Sequence, residues 1–126
     1  TALEPKDAEY VEGGVRICAS LASWCIRSGV DVGFLTNGES ALPEIELNIP
    51  PRCSDAQLER ILEALAVLKI RMTLDLHVLL DRQMESMSDM DILIVSAYWS
   101  DMLEERARKL RQLGNSVTWL KIGGGA

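Results

Sequence analysis

At 126 residues, 48% hydrophobic and 25% charged, the chain has the size and balance of one folded globular domain, which excludes a disordered or fibrous polypeptide. Its 19 acidic and 13 basic residues leave a net charge of −6, unsuited to a generic nucleic-acid or anionic-membrane surface, since both need clustered positive charge. Three cysteines without CxxC spacing argue against a disulfide framework or a zinc site and fit a reducing compartment.

The first apolar periodicity runs from Ala8 to Ile26 through Val11, Val15, Cys18, Ala22 and Cys25 and predicts a helix. Gly13 and Gly14 weaken its first turns by about 1 kcal/mol each relative to Ala, and Gly29 is placed to stop it. Residues 30–36, a short run rich in β formers, read as a buried strand closed by Asn37-Gly38. From Ala41 to Ile49 the pattern alternates, with Ile45, Leu47 and Ile49 on one face. This predicts an edge strand that Pro50-Pro51 ends.

Ser54-Asp55-Ala56-Gln57 is a capping-box pattern, in which the Ser54 hydroxyl bonds the Gln57 amide and the Gln57 side chain reaches back. The helix it opens carries Leu58, Ile61, Leu62, Leu65 and Leu68 and is expected to end near Lys69. Another is expected over residues 73–87, followed by a strand over 91–96. Ser100 or Asp101 then caps a helix that turns Leu103, Ala107, Leu110 and Leu113 inward and stops at Gly114-Asn115. Its basic residues Arg106, Arg108, Lys109 and Arg111 follow Glu104 and Glu105, as the helix dipole favours. A last strand spans 117–122, and 123–126 make a flexible glycine-rich end. Buried strands joined by single helices predict a three-layer α/β/α domain over residues 1–122 with a mostly parallel sheet. One feature is odd: the first helix has no strand before it.

Three stretches carry a family resemblance. "ASLASWCIRSGVDVGFLTNGES" (19–40) resembles the "ASLA…G…VGL.TNG" segment of DUF58 proteins. "IPPRCSDAQLERILEALAVL" (49–68) is similar to their Pro-Pro turn and Leu-rich helix, and "DILIVSAYWSDMLEERARKLRQLGNSVTWLKI" (91–122) to their closing strand-helix-strand. The resemblance implies a von Willebrand factor A-like fold lacking its first strand, which full-length relatives place upstream and end in Asp-x-Ser-x-Ser when they bind metal. The gap must then be closed within the domain or filled from another chain, a homodimer included. Relatives are commonly encoded beside MoxR-type AAA+ ATPases, which implies such an ATPase as protein partner. Upstream membrane anchors in many relatives imply a cytoplasmic domain of a membrane-anchored protein, with no membrane contact by these residues.

Where the resemblance places a metal-site Asp, after the strand 91–96, this chain has Ser96. A hard divalent ion wants several converging oxygens, so no metal and no cofactor are expected, nor any nucleic-acid partner. If there is a binding surface, it is Thr36, Asn37, Ser96, Tyr98 and Asp101, at strand ends, where open α/β sheets bind. Tyr98 and Trp99 either close the core or form a contact patch. His77, the single histidine, is read as a packing or surface residue, and Cys53 as an unreactive thiol despite its place before a helix. The leading expectation is a non-enzymatic interaction domain. The competing one is a flavodoxin-like or nucleotide-binding module, against which no Gly-rich turn joins a strand to a helix.

Overall fold

The computed structural model describes residues 5–69 and 74–122, and it is a mixed α/β protein. The expected start of the third helix at Thr73 and the glycine-rich 123–126 lie outside the described residues. The described chain gathers into two compact units, one of residues 15–69, the other of 5–14 with 74–122.

Helix α1 (Pro5–Arg27) runs straight through Gly13 and Gly14, where weakened turns were expected. Gly14 offsets its propensity cost by close packing. A Cβ there would lie 2.9 Å from Ile122 Cδ1, so any larger residue would need the Ile122 side chain to shift. Gly29 ends α1 as expected, at φ 82°, with its N–H bonded to Ile26 O and that of Val30 to Cys25 O. These are the paired bonds of a Schellman motif.

In the first unit, β1 (Val32–Phe34) pairs antiparallel with β3 (Ile49–Arg52), and β2 (Glu39–Ser40) pairs antiparallel with β4 (Leu68–Lys69). The expected strand over 41–49 does not form. Its alternation survives as burial, with Ile49 buried, Ile45 and Leu47 half-buried, and Glu44, Glu46 and Asn48 exposed. Side-chain period is therefore right while the backbone pairing lies at either end of the segment. Pro50 and Pro51, expected to stop a strand, stand inside β3, which pairs only with β1. An outer edge tolerates residues that cannot donate.

Helix α2 (Asp55–Ala66) starts at the expected cap, where Ser54 Oγ accepts from Gln57 N at 3.0 Å. It ends before Lys69 because Leu68 and Lys69 pair with β2 instead. Ile61, Ala64 and Leu65 join Ala22, Ile26 and Ile49 in one core. Gln57, 1% exposed, does not complete the capping box. Its Nε2 donates to Val32 O at 2.7 Å and Pro50 O at 2.9 Å, fastening β1 and β3 to the helix. Its Oε1 has no donor. That costs about 1–3 kcal/mol, which two bonds in a buried site offset.

In the second unit, α3 (Leu76–Gln83) is shorter than the expected 73–87 and gives way to a 3-10 turn at Met84–Ser86. The Ser86 hydroxyl donates to Gln83 O at 2.8 Å, a local bond that competes with helix. Strand β5 (Asp91–Ser96), helix α4 (Asp101–Gln112) and strand β6 (Ser116–Lys121) follow. Here β5 and β6 pair parallel from Asp91↔Ser116 to Ser96↔Lys121, the crossover expected from sequence. The mostly parallel sheet is corrected: among the described residues two pairs of three are antiparallel. Of the three pairs only β5 and β6 are consecutive strands joined by a single helix, the connection a parallel crossover uses; β1 and β3 are joined without a helix, and β3 as well as α2 lies between β2 and β4.

Leu103, Ala107 and Leu110 form the buried stripe of α4. Asn115, 5% exposed, donates from Nδ2 to Met87 O and Leu110 O and accepts from Met90 N. Arg106 grips Asp81 of α3 with two bonds, at 3.0 and 3.1 Å.

Gln57→Leu should strand the Val32 and Pro50 carbonyls and lower unfolding free energy by about 2–4 kcal/mol, read from the urea midpoint. A neutral result would refute the clamp. Arg106, chiefly through its hydrogen bonds, holds the Asp81 carboxyl below the usual carboxylate range. A lowered folded pKa stabilises above the unfolded value, about 3.9, and the contribution disappears as pH falls through the folded one. The stability gap between wild type and Asp81→Asn should thus be steady near neutrality and close only in strong acid, as followed by urea melts across pH.

Candidate functional site

The loop from β5 to α4 is built around Ser96, which is 7% exposed. Its hydroxyl donates to Tyr98 O at 2.6 Å and accepts from Trp119 Nε1 at 2.9 Å. Its carbonyl accepts from Ile122 N at 3.0 Å. Trp99 stacks on Trp119 with ring centroids 5.3 Å apart, and its Nε1 donates to Glu104 Oε2 at 2.7 Å. The two aromatics after the strand therefore part company: Trp99 packs inward and Tyr98 stays 42% exposed.

Ser100 is the cap of α4, its Oγ accepting from Leu103 N at 3.1 Å. Asp101 stands exposed in the first turn, where the helix dipole favours a carboxylate. Ser96, Tyr98 and Asp101 thus share one strand-to-helix loop. Thr36 and Asn37 belong to the other unit, at the turn after β1, where Thr36 Oγ1 accepts from Gly38 N at 3.0 Å.

This loop has little capacity for acid–base or nucleophilic work. A serine nucleophile needs a base within reach, and the Ser96 hydroxyl is bonded to a carbonyl and an indole instead. Among the described residues no group of three His, Cys, Asp or Glu could hold a metal ion. The thiols are free: burial pushes Cys18 up from its ordinary pKa, and exposed Cys53 touches Ile26 O at 3.4 Å. What the loop can offer is surface, with Tyr98 and Met102 both exposed.

Sequence reasoning missed Trp119 and Glu104. The available signal was the arithmetic of indoles, since a half-buried Trp N–H seeks an acceptor and Ser96 and Glu104 are the polar residues at hand. No helix among the described residues is long and apolar enough to cross a membrane. Compared with family models, with curated proteins and with solved structures, the chain gives no match.

Ser96→Ala should cost about 1–2 kcal/mol, since it frees the Tyr98 carbonyl and leaves Trp119 only the longer bond to Ser96 O. It should also alter the near-UV circular dichroism of the Trp pair. Tyr98→Ala, at an exposed position, should stay within about 0.5 kcal/mol. Equal effects in thermal melts would contradict this division of roles.

Proposed function

We propose that this chain is a non-enzymatic protein–protein interaction module of the DUF58 type, part of a larger cytoplasmic-side protein, with a MoxR-type AAA+ ATPase as partner. In this reading β5 and β6 belong to a von Willebrand A-like sheet whose first strand is supplied from outside the described residues.

The observation that carries the reading is the unequal protection of strand edges. Strand β3 is blunted by Pro50 and Pro51, and β6 alternates Ser116, Thr118 and Lys121 outward or toward its ends. Strand β5 has no proline and only one exposed charge, Asp91 at its start. Ile92, Leu93, Ile94 and Val95 give it apolar residues on both faces, the habit of an interior strand, yet among the described residues it pairs on one side only. Leu93 is left 42% exposed. A strand added along β5 supplies the missing main-chain partners, and β addition is an established mode of protein recognition. The loop beyond it, with Tyr98 outward and its polar groups engaged internally, then serves as contact surface and not as a reaction centre.

Calorimetric titration with a purified MoxR-type ATPase, in ATP and in ADP, tests the partner. Saturable binding is expected, weakened about tenfold by Tyr98→Ala. Hydrogen exchange at the β5 amides should slow when a peptide or upstream extension supplies the strand. Absence of ATPase binding, or a specific thermal stabilisation by a flavin or nucleotide, would sink the proposal, the second result in favour of a cofactor-binding module.

A further inference from the structure

Helix α1 turns Ala22 and Ile26 into the core of the first unit. The outward side of such a helix is ordinarily polar. Here it carries Leu21 and Trp24, and Trp24 at 67% is the most exposed large hydrophobic side chain among the described residues. Leu21, Trp24 and Arg27 follow one another at three-residue steps, so they lie about 60° apart around the axis and form one stripe. Val30, also exposed, continues it past the helix stop.

A scattered surface leucine needs no explanation. A tryptophan beside an arginine is different, because these two residue types carry a disproportionate share of interface energy. Neither is engaged here. Among the described residues Arg27 makes no ion pair, and the Trp24 indole N–H has no acceptor. Both are donors, and one is a cation. The nearest acid in sequence is exposed Asp31, on the chain beyond the helix stop. Charge complementarity therefore selects an occupant that brings carboxylates together with an apolar face.

We infer that the Leu21–Trp24–Arg27 stripe docks an acidic amphipathic segment of another protein. The indole and Leu21 meet the apolar face of that segment, while Arg27 takes a carboxylate in a charge-assisted, bidentate pair. The stripe belongs to a different unit from Tyr98, so the proposed ATPase interaction can fail without affecting it.

The test uses three labelled amphipathic peptides of about 15 residues, identical in apolar face but carrying Glu, Gln or Lys on the flanks, and phosphatidylglycerol vesicles as competitor. The Glu peptide should bind and should shift the Trp24 indole N–H resonance. Trp24→Ala and Arg27→Ala should each weaken binding about tenfold or more with no change in thermal midpoint. Binding should also fall as salt rises. Equal affinity for the Gln peptide, indifference to both substitutions, full displacement by vesicles, or self-association that accounts for the shift would each overturn the inference.

Discussion

A buried amide in each unit holds backbone that strand pairing does not reach. Strand β1 has three residues, and two strands alone are marginal in water. Gln57 supplies what the ladder lacks by bonding the carbonyls of both β1 and β3 from the first turns of α2. In the other unit, where the β5–β6 ladder is six residues long, Asn115 just before β6 instead ties Met87 and Met90, which precede β5, to Leu110 of α4. Every element that meets these side chains depends on them, because a carbonyl buried without a donor costs about 1–3 kcal/mol, a large part of a small domain's net stability.

This dependence also explains why the edges are unequal. Where the chain can tolerate an open edge it places proline or alternating polar residues, and where it cannot, along β5, the strand stays apolar on both faces. A strand of that composition is costly to leave unpaired and hazardous in solution. Leu93 shows the conflict most plainly: its alternation with Ile94 suits a sheet interior, and its exposure does not. Among the described residues β5 pairs only with β6, and a further strand along its other edge belongs to the proposed reading.

Local chemistry was legible in the sequence to the extent that it depended on neighbours a few residues away. The Ser54 cap, the Gly29 stop, the 91–96 strand and its parallel partner were all readable, because caps, αL stops and a strand-helix-strand crossover are short-range devices. The alternation of residues 41–49 predicted which side chains go inward but not that β2 and β3 form at its ends, since pairing is decided by strands distant in sequence. The same limit applied to Gln57. Its position promised a capping box, but the carbonyls of Val32 and Pro50 were stronger competitors for its amide. At the strand end, the sequence marked Ser96, Tyr98 and Asp101 without revealing that Trp119 would engage the serine.

That engagement is what the proposed reading of the loop as a contact surface rests on. The loop after β5 holds a serine, two aromatics and an acid, the ingredients of a site, yet its polar groups are largely committed to one another. A group so committed is a poor nucleophile and a poor ligand, because each new bond must first break an old one. Capacity for recognition then passes to what the fold leaves unsatisfied. In the second unit this is the β5 edge with exposed Tyr98 and Met102, and in the first it is Trp24 with Arg27. Both are surfaces, and under the two proposals one takes backbone partners and the other carboxylates.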